Sequence, residues 1–198
     1  MMVIAYHCTF CAYGFWLPND PRGSWSDCVR SWDMFIAAGG GTACNARRSV
    51  AATVLPAAGQ AARAAGRAAL SHRPTVFTSQ QIEAIGRGFG RAVIEADFRI
   101  VACAIMPNHV HAVILRHARA IEMIVGHLRS RATKQLGLEG LRPDQPIWAR
   151  SGWNVFLNGN TQIAGAIAYV NANPPKAGLA RQSWEFVQPW NGGVASGV

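Results

Sequence analysis

Two β-prone runs, Arg99-Ile100-Val101-Ala102-Cys103-Ala104-Ile105 and His109-Val110-His111-Ala112-Val113-Ile114-Leu115, are joined only by Met106-Pro107-Asn108. No other stretch constrains the fold as much. Proline is favoured early in a tight turn and asparagine tolerates unusual dihedrals, so the two runs are expected to form a hairpin at the centre of a sheet. Side chains alternate along a strand, so His109 and His111 project from one face while Val110 points to the other. Two imidazoles side by side on a rigid strand are a usable pair of metal ligands. Strand histidines also serve as ordinary half-buried polar residues, so the pair needs a partner from elsewhere in the chain.

The 198 residues are expected to form a single domain with an insertion. No apolar run reaches the length of a membrane span, and the N-terminus lacks the order of a secretory signal. Cys8 and Cys11 fall in a predicted strand on opposite faces, and no second pair completes a zinc spacing. They read as reduced thiols of a cytoplasmic protein. The net charge of +9 and isoelectric point near 10.2 favour a polyanionic partner. The cations are arginines except for Lys134 and Lys176, and arginine suits bidentate phosphate contacts.

Residues 3–11 alternate as a strand. The following loop carries Trp16, Arg22 and Trp25, which fit either stacking on nucleotides or packing at the domain edge. A low-complexity Ala/Gly/Arg-rich insertion occupies about 37–72, with a short helix expected around Arg63 and Arg67. Thr78-Ser79-Gln80-Gln81 forms a capping box, and Ile82, Ile85, Phe89, Val93 and Ala96 follow at helical spacing. Gly86-Arg87-Gly88-Phe89-Gly90 has the look of a nucleotide loop, but it lies inside this helix rather than after a strand, which excludes a dinucleotide site. A second helix is expected over about 118–136, with Arg129, Arg131 and Lys134 crowding its C-terminal half. Ile147–Arg150 and Trp153–Leu157 read as two short strands. A third helix is expected from about 161 to 173, where Pro174 and Pro175 should end it. Trp184 and Trp190 are expected to anchor a tail that becomes loose from about 191.

On the third helix Tyr169 and Asn173 lie four residues apart, so they share one side at the border of the apolar stripe. The segment Tyr169-Val170-Asn171-Ala172-Asn173-Pro174-Pro175-Lys176-Ala177-Gly178-Leu179, preceded by Met106-Pro107-Asn108-His109-Val110-His111, resembles the single-tyrosine HUH transposases. The likeness is in particular to the REP-associated tyrosine transposases and their insertion-sequence relatives. It extends to Tyr6-His7-Cys8-Thr9-Phe10, Tyr13-Gly14, Trp16-Leu17 and Trp148 with Arg150, leaving out the insertion and the tail. Cys8, Cys11 and the alanine-rich insertion depart from the family pattern.

The resemblance implies a ferredoxin-like α+β sandwich with a central antiparallel sheet, flanking helices and the tyrosine on a C-terminal helix. It implies that His109 and His111 hold a divalent cation, Mg²⁺ or Mn²⁺, with Asn173 in the place of the third ligand and Tyr169 as nucleophile. A tyrosine oxygen attacking phosphorus keeps the phosphodiester energy as a 5′-phosphotyrosine and leaves a 3′-hydroxyl able to reverse the attack. A phenol has a reference pKa of about 10, so it must shed its proton as it attacks. The implied partner is single-stranded DNA with hairpin or palindromic elements, and no membrane. One nucleophile per chain leaves both a monomer and a homodimer open. Arg22, Arg129, Arg131, Lys134, Arg150 and Lys176 are the candidate phosphate contacts. Two other readings remain: a hairpin DNA- or RNA-binding protein without catalysis, and a zinc hydrolase whose histidines activate water.

Overall fold

A computed structural model describes residues 2–15 and 57–192. The Trp16–Arg22–Trp25 loop and most of the insertion lie outside them. The elements run β1 (Ala5–Ala12), α1 (Ala57–Ala68), α2 (Ser79–Ala96), β2 (Ile100–Ile105), β3 (His109–Leu115), α3 (Ile121–Leu138), β4 (Trp148–Leu157) and α4 (Asn160–Lys176). The strands form one antiparallel sheet in the order β2-β3-β1-β4. With α2 and α3 as the crossovers, this is the ferredoxin-like βαββαβ arrangement, to which α4 is added.

Alternation divides the sheet into two faces. Cys8, Phe10, Ala12, Val110, Ala112 and Ile114 point toward α2 and α3, where they form the larger core with Ile85, Phe89, Ile124, Leu128 and Leu136. Ala5, Val113, Leu115 and Leu157 point the other way and pack with Ile163 and Val170 of α4. Burying each of these larger aliphatic side chains stabilises the fold by about 1.5–3 kcal/mol before the entropy of ordering is subtracted.

Helix α2 begins as its sequence dictates. The Thr78 hydroxyl accepts from the Gln81 amide at 3.2 Å, and the Gln81 side chain accepts from the Thr78 amide at 2.9 Å. The expected hairpin is present, closed by a bond from the Met106 amide to the His109 carbonyl at 2.7 Å. Its second strand is central, but β2 lies at an edge of the sheet. That edge is covered by the tail. The Gln182 side chain accepts from the Ile105 amide at 2.8 Å and donates to the Ile105 carbonyl at 2.7 Å, and Val187 bridges to Ile100.

Two boundaries differ from expectation. The segment from Trp148 to Leu157 is one strand, because Gly152 does not break it. A Cβ at Gly152 would lie 3.0 Å from the Thr9 carbonyl oxygen and 3.2 Å from the Phe10 Cβ, so glycine there permits close approach to β1. Helix α4 runs through both prolines to Lys176. Their rings sit in the last turn, and the stop comes at Gly178, with φ of +74°. The Leu179 amide reaches the Pro174 carbonyl at 2.9 Å and the Gly178 amide reaches that of Pro175 at 3.0 Å. This is the hydrogen-bond pattern of a glycine-terminated helix.

Candidate active site

His109 and His111 lie on the face of the sheet that α4 covers. Their Nε2 atoms are 3.1 Å apart. The His109 Nδ1 faces the Asn108 side-chain oxygen at 2.6 Å. An amide oxygen only accepts, so this bond puts the His109 proton on Nδ1 and leaves a lone pair on Nε2. His111 is 6% exposed, and its Nδ1 lies 2.9 Å from the Thr9 hydroxyl and 3.2 Å from His7 Nε2. Burial, with His109 and His7 adding to it, pushes the His111 pKa down to about 2, so its ring is neutral at physiological pH. Burial also lowers the pKa of His7.

The arrangement suits a cation. Two nitrogens bound at about 2.1 Å to adjacent positions of one octahedral ion stand about 3 Å apart, which is close to the observed Nε2 separation. Each ring has a protein partner on its other nitrogen, the usual way a metal-binding histidine is oriented. His7 does not make this pair a trio, because its Nε2 faces the far side of His111. Among the described residues no group of three or more His, Cys, Asp and Glu is arranged to hold a metal ion.

Tyr169 completes the cluster. Its ring meets that of His111 edge-on, with centroids 5.4 Å apart, and that of His7 at 5.6 Å. It is 48% exposed, so a bulky polymer can reach it while its inner edge stays fixed by two imidazoles. Asn173 is half-buried one turn later and donates its amide hydrogen to the Tyr169 carbonyl at 2.8 Å. Among the described residues no hydrogen bond joins it to the histidines.

The candidate phosphate contacts are dispersed. Arg129 places its guanidinium 5.0 Å from the Phe10 ring centroid and reaches the Arg150 carbonyl at 3.4 Å. Arg131 is paired with Glu95 at 2.6 Å. Both belong to α3, across the sheet from the histidines. Lys134, Arg150 and Lys176 are exposed, and Lys176 ends the same helix that carries Tyr169. Arg22 lies outside the described residues.

In the sequence, His7 and Thr9 stand out only as part of the family-like opening segment, with no role in the site. Both share the parity of Ala5, and Thr9 pairs directly with His111. Only the β1–β3 register reveals that.

The chain is similar to solved transposase structures. One is the structure of a REP-associated tyrosine transposase bound to a REP hairpin, at 13% identity and a TM-score of 0.48, covering 98% of this chain and 89% of that one. Another is a provisionally assigned transposase of Deinococcus radiodurans R1, at 12% identity and a TM-score of 0.38, covering 86% and 90%. No family model and no curated protein matches the chain. At such distances the chemistry of the site rests on its own atoms.

Proposed function

We propose that this protein is a metal-dependent endonuclease and strand transferase for single-stranded DNA flanked by hairpins, acting through a 5′-phosphotyrosine. The observation that carries the reading is the packing of the Tyr169 ring on His111, beside two Nε2 atoms that face each other across 3.1 Å. The Tyr169 oxygen attacks phosphorus, the bond to the 3′-oxygen breaks, the phenolic proton passes to solvent, and the leaving oxygen takes up a proton to become the 3′-hydroxyl. His109 and His111 would hold the cation, with Asn173 one turn beyond the tyrosine as the third protein ligand. A bound Mg²⁺ or Mn²⁺ supplies Lewis-acid stabilisation of charge on the phosphate oxygens.

The chain's own residues orient the reaction. His7 and His111 fix the plane of the phenol, and burial keeps His111 neutral so that it can act as a ligand. Lys134, Arg150 and Lys176 supply exposed positive charge for a DNA backbone, and binding through them falls with salt. A water-activating zinc site draws its three protein ligands from His, Cys and carboxylates, and among the described residues no such trio is arranged to hold a metal ion.

Incubating the protein with 5′- and 3′-labelled hairpin-flanked oligonucleotides and Mn²⁺ tests the reading. A denaturation-resistant protein–DNA adduct carrying the label 3′ of the cut is expected. Tyr169→Phe should abolish the adduct and leave binding within a few-fold. Binding without any adduct would support the non-catalytic alternative, and free cleaved product that survives Tyr169→Phe would support the hydrolase.

A further inference from the structure

The least explained polar contacts near the cluster are those on the far side of His111. Its Nδ1 meets two groups from β1, the Thr9 hydroxyl at 2.9 Å and His7 Nε2 at 3.2 Å. Both can donate or accept a hydrogen bond. That versatility bears on the opposite nitrogen. Because Asn108 holds the His109 proton on Nδ1, the His109 Nε2 presents a lone pair toward His111. Without a cation, His111 therefore best carries its proton on Nε2, donating to His109, while its Nδ1 accepts from Thr9 or His7. For the two rings to hold a cation, both Nε2 atoms would have to be free of protons. The His111 proton must then sit on Nδ1, where it needs an acceptor.

Building on the assignment of His109 and His111 as cation ligands, we infer that Thr9 and His7 are positioning residues for His111. Together they let its ring exchange tautomer, accepting the Nδ1 proton when Nε2 turns to a cation. The exchange is balanced: one proton leaves Nε2, one arrives at Nδ1 through solvent, and the ring stays neutral. His7 has a second contact, because its ring also packs against Tyr169 at 5.6 Å between centroids. It joins the tyrosine to the imidazole pair. Thr9 alone could satisfy His111 Nδ1, so it is the second partner on that nitrogen that a purely structural role leaves unexplained.

The test uses the full chain with ¹⁵N-labelled histidine and Zn²⁺ as a diamagnetic probe. Imidazole ¹⁵N–¹H correlation spectra should show the His111 proton on Nε2 without the ion and on Nδ1 with it. Thr9→Val is nearly isosteric, and His7→Phe keeps a ring against Tyr169 while removing the nitrogen. The double variant should bind Mn²⁺ 10–100-fold more weakly by calorimetry, in line with the loss of orienting partners at other metal sites. Thr9→Ser should retain wild-type affinity. If the double variant fails to fold, the Thr9→Val single variant carries the test, with a smaller loss expected. Unchanged Mn²⁺ affinity in the variants, or a His111 proton that stays on Nε2 with Zn²⁺ bound, would overturn the positioning role while leaving the ligand assignment standing. Failure of the wild type to bind either ion would overturn both.

Discussion

Three glycines on one helix should respond to the same substitution in different directions. Gly86, Gly88 and Gly90 all lie within α2, where alanine is favoured over glycine by about 1 kcal/mol if space permits. At Gly90 it does, since an added Cβ would meet only Phe186, with its nearest atom at 3.6 Å. At Gly88 the Cβ would lie 2.6 Å from Ala132 Cα and 2.8 Å from both Ala132 N and the Arg131 carbonyl oxygen. Those atoms are backbone of α3, so the two helices would have to separate by about 0.8 Å to restore ordinary contact. Overpacking of this kind costs about 1–3 kcal/mol, and after the propensity gain a net loss of about 2 kcal/mol is the upper expectation. For a chain of this size each kcal/mol moves Tm by about 2–4 °C. Gly90→Ala should therefore raise Tm by roughly 2–4 °C and Gly88→Ala lower it by up to about 8 °C. Gly86→Ala drives the Trp184 ring from its seat and should expose the tail to limited proteolysis. Calorimetry of the three variants decides the matter. A Gly88→Ala variant stabilised as much as Gly90→Ala would refute the close helix–helix contact, and loss of DNA cleavage in the Gly90→Ala variant at low temperature would refute the view that this motif is structural.

Stability without cation should depend on His111 and should fall in acid. Its folded pKa, about 2, lies below the unfolded value of 6.5, so the unfolded chain binds the extra proton between them. This stabilisation is complete above pH 6.5 and is lost as pH falls, by about 2 kcal/mol at pH 5. With a urea slope of roughly 2 kcal/mol/M, His111→Gln should flatten the midpoint change between pH 7.5 and pH 5 by about 1 M relative to wild type, and an unchanged dependence would discount the buried neutral ring. Gln182→Ala removes both side-chain bonds to Ile105 and should cost about 1–3 kcal/mol. Its local signature is faster hydrogen exchange at the Ile105 amide, and protection equal to wild type there would show that the tail does not guard the β2 edge.

What was legible in the sequence is what local physics decides. The capping box at Thr78 and Gln81, the apolar spacing from Ile82 to Val93 and the alternation around His109 each rest on contacts within a few residues. The nearness of Tyr169 to the histidines does not: it depends on α4 covering one sheet face while α2 and α3 cover the other. The family resemblance of the Tyr169 and His109 segments anticipated it, but periodicity could not. The helix end was misplaced because a proline loses its own amide bond without obstructing the next turn, whereas Gly178 supplies the left-handed residue that ends α4. Gln182 had no signal at all, since a glutamine that imitates a strand looks like any polar residue in a tail.

The same alternation that gives the sheet two faces also makes the site depend on register. Val110 and Phe10 must face the helix pair for the core to close, and His109, His111, His7 and Thr9 then face α4 of necessity. A slip of one residue in β3 would bury the imidazoles in the larger core and turn Val110 toward the tyrosine. The turn at Met106-Pro107-Asn108 is held from three sides against such a slip: Met106 bonds to His109, the Asn108 carbonyl accepts from Ala12 at 2.9 Å, and the Pro107 carbonyl accepts from Phe77 at 2.7 Å. One of these bonds, from Phe77, comes from a segment that has no part in the chemistry, and another comes from the end of the strand that carries His7 and Thr9. The residues between the two β-prone runs therefore do more than reverse the chain: by fixing the parity of β3, they decide which side of the sheet can carry the imidazole pair.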